Sequence, residues 1–320
     1  KDIKGEKVKN KWINKAEVQG YVFDHNLRER TSAKTGDNYI SGELSVATSE
    51  DGTNVVKVYF GYVADSGIKA DTYKLLQEII QSGKTYQTDG RDAIKVRISG
   101  NIEVNDWVNR NGEMVSIRRL GGSFCNRHNG QNITKPAEFE AEFLANTAMF
   151  HEVEDGDDYY ELKGYVFNYR NELVPTSFSV TSPAGIKAFE DMEITQNEPK
   201  LVHIWGKVKT NTIVTQKESN EDLAFGVPAV TTTEKTFTSW EVCSASKGEA
   251  FEEDGDSVPT MTVKGVSAIT KDELQKLLAD REEHLADVKK RYEERQSQGV
   301  TNVTPASSAE VPFGDDGFAF

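Results

Sequence analysis

The chain has only two cysteines in 320 residues, Cys125 and Cys243, far apart and outside any C-x-x-C spacing. That excludes a disulfide framework and fits a reducing compartment. Long apolar runs are missing too. No stretch of about 18 apolar residues occurs, so no helix is expected to cross a membrane. The opening KDIKGEKVKNKW carries charge with no apolar stretch behind it, which predicts no secretory signal and a cytoplasmic protein. Catalytic constellations are equally scarce. Ser82-Gly83-Lys84-Thr85 has the last four residues of a nucleotide loop, but Glu78 stands where its first glycine belongs, and the segment closes a helix rather than opening one. Cys125-Asn-Arg-His128 lacks the companion ligands of a zinc site. The acidic run 152–158 (EVEDGDD) reads as a solvated linker. No nucleophile, base and oxyanion site assembles, so the sequence predicts a non-enzyme with no metal and no cofactor.

Charge of one sign is scarce only locally. The whole chain is at −14. Residues 1–135 hold 21 Lys/Arg against 17 Asp/Glu, a net of +4, whereas 136–268 hold 10 against 24 and 269–320 hold 7 against 11. A polyanion is therefore expected to meet the first third of the chain and to be repelled by the rest.

Alternating apolar residues mark strands over 16–23, 39–49 and 54–63, with EDGT at 50–53 as a hairpin signal. The period then changes. Tyr73, Leu75, Leu76, Ile79 and Ile80 share one helical face over 70–81, closed near Gly83. Alternation returns in 93–104 and, after the turn at 109–112, in 114–125. The order β-β-β-α-β-β is that of an OB-fold, a five-stranded Greek-key barrel. A phrase then repeats: EVQGYVFD at 17–24 and ELKGYVFN at 161–168, with a second echo between KVRISGNI at 95–102 and LVHIWGKV at 201–208. The repeat predicts a second barrel whose first strand is 159–169. This second copy is expected to lack the helix within 175–200 and to carry a polar insertion at 211–234. Thr270-Lys-Asp-Glu273 is a capping-box pattern that predicts a helix to about Gln298. The fold class expected is mainly β, with tandem OB-fold-like Greek-key barrels, a long C-terminal helix and a disordered acidic and aromatic tail. The expected divisions are a basic arm at 1–15, barrels at 16–135 and 136–268, the helix at 269–298 and the tail at 299–320.

In its first third the chain resembles the bacterial-type single-stranded DNA-binding proteins. The resemblance rests on Asn14-Lys15 with Val18-x-Gly20, Asp24-His-Asn-Leu-Arg28, Val46-Ala-Thr-Ser-Glu50, Tyr59-Phe60-Gly61 and Trp107-Val-Asn-Arg-Asn-Gly112, in family order over about 14–125. It implies that Phe60 and Trp107 stack on bases. A base stacked on an aromatic ring contributes about 1–3 kcal/mol whatever the base. Trp107 sits in a polar turn, where a core role is not expected, whereas Phe60 has a buried core position as its rival. Tyr21 and Phe23 share one strand face and are candidates for the same platform. Candidate phosphate contacts are Arg28, Arg30, Lys34, Lys57, Lys95, Arg97, Arg110, Arg118 and Arg119, with the lysines of the N-terminal arm. The family's further tryptophans are replaced here by EDGT and Asn54, which implies a differently built contact surface. The end of the chain, VPFGDDGFAF, is similar to the family's acidic tail, and Phe313, Asp315, Asp316, Phe318 and Phe320 are expected to recruit replication or recombination proteins (a polymerase, helicase or recombinase). Tandem unequal barrels suggest a bacteriophage version. The partners expected are single-stranded DNA and those proteins, with no membrane and with self-association as an option. The rival reading is a phage interaction or structural protein, or a recombination mediator, that uses the barrels mainly for protein contacts.

Overall fold

The computed structural model describes residues 12–49, 51–153, 158–218, 230–252, 260–263 and 267–297, with side chains left out of account at 211–237, 263 and 267–268. The strands are β1 (Asn14–His25), β2 (Arg28–Thr31), β3 (Asn38–Ala47), β4 (Val55–Ala64), β5 (Lys95–Val108), β6 (Met114–Arg127), β7 (Ala137–His151), β8 (Tyr159–Phe167), β9 (Leu173–Val180), β10 (Lys200–Glu218), β11 (Val230–Ala245), β12 (Thr260–Val263) and β13 (Ser267–Thr270). The helices are α1 (Ala70–Ser82), the single turn α2 (Tyr86–Asp89), α3 (Pro183–Glu190) and α4 (Lys271–Ser297).

Strands β1 to β11 form one continuous sheet among the described residues, and it closes twice. In the first closure β1 pairs with β3 and β5, β5 with β6, β6 in parallel with β4, and β4 with β3. In the second, β7 pairs with β8 and β10, β10 with β11, β11 in parallel with β9, and β9 with β8. Each circuit runs in the order first, second, third, fifth, fourth strand, with a parallel third–fifth pair. These are two OB-fold barrels, in which no sheet edge is left open around the circuit.

The barrels share a seam. Their first strands pair antiparallel, Asn14 opposite Ala141 and Val18 opposite Ala137. Ala16 lies opposite Gly100 on β5, Phe139 lies opposite Gly206 on β10, and Ala16 and Phe139 lie opposite each other. Both glycines sit at a register shift against the fifth strand. The two barrels are thus related by an approximate two-fold axis through the Ala16–Phe139 pair. One apolar cluster runs across it, from Leu44, Phe60 and Leu76 to Phe143, Phe178 and Trp240.

The register corrects the reading of the repeated phrase. Gly20 is on the first strand of its barrel, but Gly164 is on the second strand of the other. A Cβ at Gly20 would collide with the Ala47 carbonyl on the second strand, and one at Gly164 with the Leu144 carbonyl on the first. The two glycines relieve the same first-to-second-strand crossing from opposite sides, next to register shifts in both pairs. The other echo, 95–102 with 201–208, does join equivalent fourth strands. A second correction concerns 175–200, which holds the helix α3. Ser182 caps it by accepting from the Gly185 amide at 3.2 Å, and Phe189 is its buried anchor. Eight residues with one buried side chain leave too little periodicity to read from sequence.

Helix α1 ends on Gly83 at φ 60°, the left-handed conformation that costs glycine little. Helix α4 opens on the capping box: the Thr270 amide donates to the Glu273 carboxylate at 3.0 Å, and the Glu273 amide to the Thr270 hydroxyl at 3.1 Å. Its first turns join a second cluster with Trp12, Phe167, Leu201, Met261 and Ile269. Trp12 stacks on Phe167 at 4.1 Å, and β1 begins at Asn14, so 12–15 belong to the fold and not to the basic arm. The rest of the arm (1–11) and the tail (299–320) lie outside the described residues. No helix among the described residues is long and apolar enough to cross a membrane.

Candidate nucleic-acid interface

Directly opposed residues on paired strands share a face, and alternate residues along a strand share it too. Applied to β4, this rule separates Val56, Val58 and Phe60, which are buried, from Lys57 and Tyr59, which face outward. Phe60 has 0% of its surface exposed, and a Cβ on Gly122 would press into its ring. Phe60 is a core residue, so the stacking role expected for it is corrected: its ring has no free face. Its neighbour Tyr59 has the outward position. The Arg119 guanidinium lies 3.8 Å from the Tyr59 ring centroid and 3.4 Å from the Glu103 carboxylate, which fixes a cation over the aromatic face.

Trp107 extends this surface. Tyr59 lies beside Gly121, and on the β5–β6 ladder Glu103 faces Arg119, Asn105 faces Ile117 and Trp107 faces Val115. The outer face therefore runs through Tyr59, Arg119, Glu103, Ile117, Asn105 and Trp107. Trp107 is half-buried, and Arg110 is exposed at the tip of the same hairpin. The opposite face of the hairpin is held by α4. Arg281 donates two hydrogen bonds to Asp106, at 2.6 and 2.7 Å, Ser116 donates a third at 2.6 Å, and His284 lies 3.3 Å away. Burial pushes the Asp106 carboxyl up, but the Arg281 and Ser116 bonds and the nearby charges outweigh it and hold it below the usual carboxylate range. Trp107 thus projects from a strand clamped on its other side.

The remaining expected cations divide by surroundings. Arg28, Arg30 and Lys34 are exposed on and after β2 and form no ion pair with a described residue. Lys57 pairs with Glu43 at 3.4 Å, and Arg97 with Glu17 at 2.9 Å. Lys95 donates to the Gly130 and Gln131 carbonyls at 2.8 and 3.0 Å. Arg118 is a correction. It is partly buried between the barrels, donating to the Ser177 carbonyl and lying 4.8 Å from the Trp240 ring. Burial drives its pKa down to about 9, against the opposing pull of Glu161. Its guanidinium ties the two barrels together through these contacts and is not presented on the outer face with Arg119. Tyr21 lies against Tyr86 at 5.4 Å, opposite Lys95 at the start of β5, while Trp107 is near the far end of that 14-residue strand. Tyr21 and the half-buried Phe23 are therefore not brought to the Trp107 surface. Tyr59 was missed in the sequence, although a signal for it exists: Lys57 fixes which parity of the strand faces water. Among the described residues no group of three His, Cys, Asp or Glu is placed to hold a metal ion.

In chemical terms the first barrel presents aromatic rings and a fixed guanidinium along its third, fourth and fifth strands, with exposed cations on and after β2 that form no ion pair with a described residue. Such a surface stacks bases and neutralises phosphates. Arg118 reaches from this barrel onto the core-side residues Thr176, Phe178 and Trp240 of the second. Conversely, β10 reaches the start of β4, where the Thr210 amide donates to Asn54 at 2.7 Å.

The class defined by this topology is a tandem OB-fold protein. The model of the YorF family matches residues 13–257, and the chain belongs to that family. No curated protein sequence matches the chain. Among solved structures it is similar to two crystal structures of the single-stranded DNA binding protein from Thermus aquaticus. A deletion mutant matches at 12% identity and a TM-score of 0.46, covering 77% of this chain and 98% of that one. The wild type matches at 11% identity and 0.43, covering 77% and 96%.

Proposed function

We propose that the chain binds single-stranded DNA, without strong sequence preference, on the outer face of its first barrel, and that it is not an enzyme. The observation that carries this reading is the line of Tyr59, Arg119 and Trp107 on one clamped surface, flanked by Arg28, Arg30 and Lys34, which form no ion pair with a described residue. Stacking needs the flat faces of bases, which a duplex hides inside its own stack, so this chemistry selects single strands. The charge distribution supports the same face, because the only net-basic third of the chain contains it. Recruitment of replication or recombination proteins through Phe313, Asp315, Asp316, Phe318 and Phe320 is part of the proposal and rests on sequence. The test is a titration of labelled oligo-dT and of a duplex of equal length at two salt concentrations, with the Trp107→Ala variant beside the wild type.

A further inference from the structure

A second pair of aromatic rings stands on the same barrel, away from Trp107. Tyr39 on β3 and Tyr62 on β4 are stacked at 4.6 Å with an interplanar angle of 25°. Tyr62 is 45% exposed, so part of its ring is within reach of a ligand. Its orientation has a specific cause. Gly42 pairs with Phe60 and Ile40 with Val63, so two residues of β4, Gly61 and Tyr62, oppose the single residue Ser41. This is a β-bulge, a device that re-aims a side chain. Without it, strict alternation from Phe60 would turn Tyr62 into the core; with it, Val63 takes the core position and Tyr62 faces out.

Cations stand next to the pair. Arg30 is directly opposite Tyr39 and Arg28 directly opposite Ser41, so both share the tyrosines' face. Glu29, between them, points to the other side and accepts from Tyr73 and Gln77, which keeps its charge away from the two arginines. Two rings with two guanidinium groups beside them, neither ion-paired with a described residue, make a compact unit suited to base stacking and phosphate contact.

The spacing links this unit to the first. From Val115, opposite Trp107, to Gly121, beside Tyr59, is six residues along β6, roughly 20 Å at strand rise. From Tyr59 to Tyr62 on the parallel strand β4 is three residues more, about 10 Å. Measured along the strand direction, the rings of β5, β4 and β3 therefore span about 30 Å, with β6 between Trp107 and Tyr59.

We infer that Tyr39 and Tyr62, with Arg28 and Arg30, are a second base-stacking station, and that one single strand runs from Trp107 past Tyr59 to it. The inference rests on the single-strand reading above and adds the path and length of the site. It is tested with the full chain, as wild type, Trp107→Ala and the double variant Tyr39→Leu/Tyr62→Leu, titrated with dT oligonucleotides of about 4 to 16 nucleotides, the range of site sizes for one OB-fold. The double variant is expected to lose roughly tenfold or more in affinity for long oligonucleotides, from the loss of at least one stacked base, and little for the shortest. Its affinity should then stop rising with length several nucleotides before that of the wild type. Wild-type affinity and length dependence in the double variant, with Trp107→Ala weakened, would overturn the second station alone. Failure of the wild type to bind any oligonucleotide would overturn the underlying reading. A thermal melt of the double variant close to that of the wild type separates loss of contact from loss of fold.

Discussion

Replacing Arg281 with methionine removes the partner of a carboxylate that has almost no access to water. The two side chains are 9% and 5% exposed, and the guanidinium meets both Asp106 oxygens. Breaking a buried pair from one side costs about 3–5 kcal/mol, because the remaining charge keeps its desolvation penalty. Here Ser116 and His284 stay beside Asp106, which places the Arg281→Met loss near the lower end, about 3 kcal/mol. Asp106→Leu strands the arginine instead and should cost a similar amount. The double variant replaces both charges with apolar groups and should be much milder, about 1 kcal/mol or less, so the two changes couple strongly. The assay is native-state hydrogen exchange on the amides of α4 and the β5–β6 hairpin, which reads local opening without requiring the whole chain to unfold in one step. The pH dependence follows in sign. Asp106 has a depressed folded pKa, so its contribution is present above the ordinary carboxylate value and is lost as pH falls through the depressed one. Loss of the Asp106 contribution to the docking of α4 is expected in acid, below the usual carboxylate range. Single and double variants that add, each costing under about 0.5 kcal/mol, would show a solvent-screened contact and refute the clamp.

Two further expectations separate core from surface and tail from barrel. Phe60→Ala should destabilise the first barrel by about 3–5 kcal/mol, as large-to-small changes do in a packed core, while Tyr59→Ala should leave the melting temperature nearly unchanged and weaken binding of single strands. Denaturation and titration of both variants check this, and the reverse pattern would contradict the strand parity. Deletion of 314–320 should leave oligo-dT affinity unchanged or tighter while abolishing co-purification of replication proteins, and weaker oligo-dT binding would count against the tail's assigned role.

Much of the architecture was legible because its signals are local. The strand alternation, the apolar face of α1, the Gly83 stop and the Thr270–Glu273 cap each depend on a few adjacent residues, and the structure keeps all of them. The repeat misled for a physical reason. Gly20 and Gly164 answer the same steric demand, a carbonyl of the crossing strand too close for a Cβ, but from opposite strands of that crossing. A shared local constraint wrote a shared phrase without shared position. Gly100 and Gly206 are equivalent, and nothing local distinguishes their echo from the other. The site was legible in type and incomplete in membership. Trp107 stood out because its sequence neighbours are polar, although it lies on β5 and not in the turn expected. Arg118 did not, because its burial comes from a β9 carbonyl and the Trp240 ring, supplied about 60 and 120 residues further along the chain. Tyr62 needed the bulge, which depends on how β3 pairs with β4.

The central claim is that the outer face of the first barrel holds single strands by stacking and phosphate contact. The most direct measurement is the oligo-dT titration at two salt concentrations, with a duplex of equal length and Trp107→Ala as controls. Tight binding to dT that weakens as salt rises, weak binding to the duplex, and a loss of about 1–3 kcal/mol in Trp107→Ala are the predicted results. No binding to dT at low salt, or binding that Trp107→Ala leaves unchanged, would contradict the account.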